Sequence, residues 1–402
     1  MVPSFNSGER LPQPAVFTGR FASAAVVLFA LLTVRPACAQ YRIFWGDVHG
    51  HTSHSDGKGS LDDYFRYARD SSKLDFVIVT DHDFGNGPPW RMSQAVWAET
   101  QAKADAYTVG GRFIAIAGYE WTSQPKYWTE VEDGSPSERL FAGRPKFYNH
   151  KNVYFPGQAP SLFSAKDGAF MTPDLLAAAV LKQGGLIHNN HPSKDRDGAD
   201  QWAYDPVSST VIANTEMNAD TVTYSGKAYD ISVEQTVRAY LNRGGVTGFV
   251  GGSDTHEGKP VAKTAVLAKE LTREALFDAL RQRHNYAITH ARIVLRFAIN
   301  GHEMGEAFTL SGKPKIDVAI QGTDLIKELM IVRDGTPLLV RNPGVSHVTF
   351  SCEDETFSGK SYYYLRVTQV DKDPQGNPSR AWSSPIWVSS SSSGVHDRTK
   401  RP

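Results

Sequence analysis

Between Trp45 and His256 one arrangement recurs: a short β-type run stops at a residue able to bind a metal ion. Residues 42–45 lead through Gly46-Asp47-Val48 to His49-Gly50-His51, residues 75–80 to Asp81-His82-Asp83, and residues 112–117 through Gly118-Tyr119 to Glu120. The run at 185–187 is followed by His188 and His191, that at 211–215 by Glu216, and that at 246–250 by Asp254 and His256. Parallel strands whose C-terminal ends share one rim would bring such residues together, which constrains the chain to an α/β architecture. His150 is the exception, because it stands just before the run at 152–155.

Helix-type stretches separate these runs at 60–71, 92–109, 173–183, 234–243 and 272–283, an alternation that predicts a parallel α/β fold. Ser60 followed by Asp63 is a capping signature that Thr272 with Ala275 lacks. After Arg292 no helix-type stretch appears. Short runs at 293–299, 315–320, 329–333, 347–352, 362–368 and 385–388 are divided by turn dipeptides such as Asn300-Gly301 and Asp334-Gly335, which predicts a small β-sandwich.

At the N-terminus, Arg10 and Arg20 precede an apolar run at 21–34, and Ala37-Cys38-Ala39 offers a small-x-small cleavage pattern before Gln40. That reads as a signal peptide, since the run is short for a membrane span. The expected organisation is a signal peptide over 1–39, an α/β barrel over 40–291, a β-sandwich over 292–388 and a disordered, serine-rich tail over 389–402. The protein is expected to be exported, periplasmic or secreted, with no stable membrane anchor.

Lys+Arg and Asp+Glu both number 43, so no cationic surface marks a nucleic-acid partner. Two cysteines, Cys38 and Cys352, exclude a disulfide framework and cysteine-based zinc sites. No G-x-S-x-G elbow is present. Of the 13 histidines, eight fall between His49 and His256, and imidazoles combined with carboxylates suit divalent first-row ions. His49 and His51 are two apart on an extended segment, so both project to one side and can chelate one ion. Asp254 and His256 repeat that spacing.

Taken in order, His49-Gly50-His51 with Ser55-Asp56-Gly57, Thr80-Asp81-His82, Gly118-Tyr119-Glu120, His191-Pro192 and Gly252-Ser253-Asp254-Thr255-His256 resemble the PHP (polymerase and histidinol phosphatase) superfamily, from Tyr41 to about Thr289. Residues 149–155 and 381–388 are similar to an exported subgroup of carbaryl-type carbamate hydrolases. The resemblance implies a distorted (β/α)7 barrel holding two or three divalent metal ions (Mn, Zn or Fe). Carried over by position, it implies a first ion on His49, His51, Glu120 and Asp254. Glu120 would bridge to a second ion completed by His150 and His191, and His82 and His256 would hold a third, assisted by Asp56. Asp56 and His188 are the catalytic candidates, although His188 has no firm counterpart in the family set. Glu216 is expected to sit outside the ligand set.

The implied activity is hydrolysis of a small-molecule substrate by metal-activated water, first of a phosphoester. Carbamate or carboxylic ester hydrolysis is the alternative, and a non-catalytic metal- or glycan-binding protein is the second. Trp90, Trp121, Trp202, Lys146, Lys151, Lys194 and Arg196 lie near the motif loops and are pocket candidates, while His54, His284, His290, His302, His347 and His396 are assigned no metal.

Overall fold

The computed structural model describes residues 41–83, 92–123, 148–159, 161–192, 202–217, 221–224, 227–230 and 233–391. The expected signal peptide and residues 392–402 of the expected tail lie outside them, as do Trp90, Lys146, Lys194, Arg196 and His396.

Strand β2 (Phe76–Val79) is apolar and buried at every position, as a strand covered on both faces must be. It lies between β1 (Arg42–Asp47) and β3 (Ile114–Ser123), both parallel to it. Next come β4 (Asn149–Tyr154) and β5 (Leu186–Asn189), each antiparallel to its predecessor, then β6 (Ile212–Glu216), parallel to β5. A separate hairpin of β7 (Thr221–Tyr224) and β8 (Lys227–Asp230) precedes β9 (Gly248–Val250), which is parallel to β6. β10 (Thr264–Ala268) returns antiparallel to β1, and β11 (Asn285–Ile288) antiparallel to β10.

Helices fall where their caps place them. Ser60 starts α1 (Leu61–Arg66) with the expected capping box to Asp63, and the chain then passes into a π-helical turn at Tyr67–Ser71. Ser93, Thr172 and Thr272 cap α2 (Gln94–Tyr107), α3 (Pro173–Lys182) and α5 (Arg273–Arg281), with α4 (Val233–Asn242) before the last. Thr272 caps through Ala275 N without a box.

Among the described residues the sheet does not close into the expected (β/α)7 barrel. Its ladder is mixed, runs β11-β10-β1-β2-β3-β4-β5-β6-β9, and stops at β9. Antiparallel neighbours need no crossover helix, which lets β10 and β11, unexpected from the sequence, return beside β1. Side chains bridge the seam between β9 and β11. Phe249 N donates to Ser384 Oγ (2.8 Å), and Asn285 Nδ2 donates to Phe249 O (2.8 Å).

The C-terminal strands are β12 (Val294–Ile299), β13 (His302–Glu303), β14 (Ala307–Leu310), β15 (Lys315–Gln321), β16 (Ile326–Arg333), β17 (Thr336–Arg341), β18 (His347–Glu353), β19 (Lys360–Lys372), β20 (Pro378–Ser383) and β21 (Ile386–Ser390). β20 pairs with β11, so the large sheet crosses residue 292 without a break in its ladder. A second sheet, β13-β12-β15-β18, shares a core with it through residues such as Leu295, Phe297, Val318, Ile331, Leu365 and Ile386. Ser389 and Ser390, assigned to the tail on composition, extend β21 because Thr309 and Leu310 of β14 pair with them.

Glu234 of α4 joins the two halves. Its carboxylate accepts from Tyr364 Oη (2.6 Å), Arg366 Nη1 (3.1 Å), Trp382 Nε1 (3.3 Å) and Arg238. Burial would raise its pKa, but Arg238 and Arg366 outweigh burial and hold it below the ordinary value. Glu234→Gln should therefore cost about 3 kcal/mol of stability at neutral pH, because the part-buried Arg238 guanidinium loses its counter-charge and Arg366 keeps only Glu328. A depressed carboxyl contributes stability above its unfolded pKa and loses it on acidification, so the deficit should shrink below about pH 4. Urea unfolding of wild type and variant across pH checks this; a deficit unchanged at pH 3 would sink it.

Candidate metal centre

β1 runs directly into His49 and His51, and both rings are fully buried. Backbone bonds from Thr80 N to Gly50 O (2.9 Å) and from His51 N to Thr255 O (2.9 Å) keep the segment extended, so the two rings share a side. Asp81 holds the following loop, accepting from Thr52 N (2.7 Å), Thr52 Oγ1 (2.7 Å) and Ser55 Oγ (2.8 Å). β3 is longer than expected and contains Glu120. β4 also starts earlier than expected and includes His150. The reason is direction: β4 is antiparallel to β3, with His150 opposite Thr122, so the start of β4 meets the rim that other strands reach with their ends.

The central group has unusual spacing. His49 Nε2 and His51 Nε2 face each other at 3.3 Å, and Asp254 Oδ1 lies 3.3 Å and 3.1 Å from them. Glu120 places Oε1 3.4 Å from His49 Nε2 and Oε2 3.5 Å from His51 Nε2. Ligand atoms about 2.1 Å from one tetrahedral ion stand about 3.4 Å apart. His49 and His51 each stand at that spacing from a Glu120 oxygen and from Asp254 Oδ1, so these pairs are placed as ligands of a cation would be.

Around Glu120 the other candidates converge. His150 Nδ1 is 2.9 Å and His191 Nε2 3.4 Å from Oε1, and His82 Nδ1 is 2.9 Å from Oε2. On the outer side, Asp56 Oδ2 lies 3.2 Å from His256 Nε2 and 3.6 Å from His82 Nε2. Asp56, Asp254 and His256 are 29%, 34% and 41% exposed, whereas His49 and His51 are not exposed at all. The cluster is thus open on one side. Two of its members, His191 (φ 26°) and Asp254 (φ 49°), have left-handed backbones, a strain typical of functional positions.

Charge follows the geometry. Burial disfavours the His49 imidazolium, but Glu216, Asp254 and Glu120 outweigh it and hold the ring's pKa well above the ordinary value. His82 is pushed up to about 10, burial being overcome by Glu120 and Asp56. His256 is pushed up to about 9, chiefly by its hydrogen bond to Asp56. Burial acts to raise Glu120, Asp254 and Asp56, but the surrounding imidazoles hold all three below the usual carboxylate range. Protons on these imidazoles balance the buried acids, and a bound cation would take their place.

The family described as Protein of unknown function (DUF3604) matches residues 193–317. An uncharacterized protein of Chlamydia pneumoniae is 26% identical over 376 residues, which cover 86% of this chain and 57% of that protein. An uncharacterized protein of Chlamydia trachomatis is 26% identical over 381 residues, with the same shares. The chain therefore spans less than two thirds of the length of these relatives. A solved structure from Bacteroides vulgatus, described as a two-domain protein containing a predicted PHP-like metal-dependent phosphoesterase, is 15% identical with a TM-score of 0.44. That likeness covers 87% of this chain and 95% of the other.

All eight metal candidates and Asp56 meet in this cluster, and His188 does not join them at the open face. Its ring is wholly buried, with Nε2 3.2 Å from Asn152 Nδ2 and 3.4 Å from Glu216 Oε1. His54 stands apart, 3.9 Å from Glu99, and His284 and His302 pair with Glu306 instead. Asn190, not among the expected site residues, also meets the cluster: its Nδ2 donates to Glu120 Oε1 (2.6 Å) and to Asn152 Oδ1 (2.8 Å). Its signal was the pair of amides inside His188-Asn189-Asn190-His191, polar residues in a buried strand end that need partners.

Proposed function

We propose that this chain is a multinuclear metal-dependent hydrolase that cleaves a small-molecule phosphoester with metal-activated water. The observation that carries this reading is the spacing of the central donors: the Nε2 atoms of His49 and His51 face each other at 3.3 Å, and carboxylate oxygens of Glu120 and Asp254, from two distant segments, stand 3.1–3.5 Å from them. When bound, divalent ions there would lower the pKa of a water and polarise the scissile group. His49, His51, Glu120 and Asp254 hold the inner position. His150 and His191 share Glu120 at the second, and His82, His256 and Asp56 form the third, outer one. Asp56 serves as a ligand there, since its carboxylate faces imidazoles. His188, having no exposed surface, supports Glu216 and does not meet substrate. Clustered cation positions suit the dianionic charge of a phosphoryl group. Export by cleavage before Gln40 belongs to the same reading, supported by the apolar run at 21–34.

Elemental analysis of gently purified protein should give at least two transition-metal equivalents per chain, and less than one with no uptake on reconstitution would overturn the reading. The same sample, with saturating Mn2+ or Zn2+, should hydrolyse p-nitrophenyl phosphate or its bis-ester with higher kcat/KM than a naphthyl carbamate. A carbamate preference above tenfold, about 1.4 kcal/mol, would replace the phosphoester assignment.

A further inference from the structure

We propose that Glu216 is a positioning residue beneath the metal centre, holding the ring of His49 and the backbone of His191 ready for metal binding; this rests on the metal-dependent hydrolase reading above. Glu216 ends β6 and has no exposed surface. Its Oε1 lies 2.7 Å from His49 Nδ1, and its Oε2 accepts from His191 N at 2.7 Å. The first contact has the length of a charge-assisted hydrogen bond, shorter than the roughly 3.4 Å separation of two ligands on one tetrahedral ion. Glu216 therefore meets His49 as a hydrogen-bond partner at Nδ1, on the ring edge away from the Nε2 that faces His51, Glu120 and Asp254.

A proton kept on Nδ1 leaves the lone pair on Nε2, the nitrogen that faces His51, Glu120 and Asp254. The second contact holds the amide of His191, whose left-handed backbone (φ 26°) is unfavourable for a side-chain-bearing residue. A third segment makes room for the carboxylate. A Cβ on Gly252 would come within 2.2 Å of Glu216 Oε1 and 2.6 Å of His49 Cβ, so only glycine fits there. One carboxylate thus locks the β1, β5 and β9 ends of the cluster in register.

The test compares wild type, Glu216→Gln and Glu216→Asp by chelator-competition affinity for Zn2+ alone, with near-UV circular dichroism as the fold control. Glu216→Gln keeps the shape but loses the charge and must set its amide NH2 against either His191 N or His49 Nδ1, so its affinity should fall by about 10–100-fold. Glu216→Asp keeps the charge and should recover part of that loss. A role in packing alone predicts the opposite order, with the isosteric Gln better than the shorter Asp, and that order would overturn the proposal, as would unchanged affinity in Glu216→Gln. No Zn2+ uptake by wild type would instead overturn the hydrolase reading. If Glu216→Gln does not fold, the folded Zn2+-loaded wild type decides: a low-field imidazole N–H proton coupled to His49 Nδ1 is expected, and its absence overturns the proposal.

Discussion

Asp254→Asn and His49→Ala should each lower kcat/KM by at least about a thousandfold, about 4 kcal/mol of transition-state stabilisation, while leaving the near-UV circular dichroism unchanged. Asp254 supplies the oxygen that stands 3.1 Å from His51 Nε2 and 3.3 Å from His49 Nε2. Asn is the informative replacement, because it tolerates the left-handed backbone at this position (φ 49°) and so removes the charge without adding strain. The backbone bond from Asp254 N to His49 O (3.0 Å) survives both changes. His302→Ala is the control: its ring stacks on Phe308 at 3.9 Å and pairs with Glu306, away from the cluster. Steady-state kinetics on the best of p-nitrophenyl phosphate, its bis-ester and the naphthyl carbamate provide the measurement. Equal losses in control and ligand variants would show that the site has been misplaced.

Removing metal should destabilise the protein, and the gap between loaded and stripped forms should widen as pH rises from about 6.5 to 10. Free ion at a thousand times its Kd stabilises the folded state by about 4 kcal/mol. In the stripped protein the buried acids rely on protonated His49, His82 and His256, with His82 at about 10 and His256 at about 9. A histidine with a raised folded pKa contributes its full stabilisation below the unfolded value near 6.5 and loses it as pH climbs through the folded value. Metal binding requires those same nitrogens to be deprotonated, so the loaded form escapes this loss. Thermal unfolding with excess Zn2+ and with chelator, at pH 6, 8 and 10, measures the gap; a gap that narrows with pH would contradict the cluster's assigned charge balance.

Features set by neighbours in sequence were legible from the chain alone. Period-two spacing put His49 and His51 on one side of an extended segment, and the pairing of Ser60 with Asp63 marked the start of α1. The apolar run of β2 marked a strand covered on both faces. Features set by distant partners were not. β10 and β11 are short and carry no periodic signal strong enough to separate them from loops; β10 becomes a strand because β1 offers an edge for Arg42 to pair with Ala268, and β11 because it lies between β10 and β20. Likewise Ser389 and Ser390 look like tail by composition, yet they add two pairs to the β14–β21 ladder. His150 seemed out of place only under the assumption that every strand runs the same way.

The sequence by itself therefore determined the donor types, their positions at the ends of extended runs, the capped helices and the change to β structure after Arg292, because each depends on contacts a few residues apart. Only the tertiary structure decided which candidate donors stand beside one another, that the sheet of the described residues ends at β9, and that Glu216 faces His49 while His188 is buried behind it. His51 and Asp254 are 203 residues apart and His49 and Glu216 are 167 apart. Contacts at such separations follow from strand order and direction, which the local pattern of a chain does not encode.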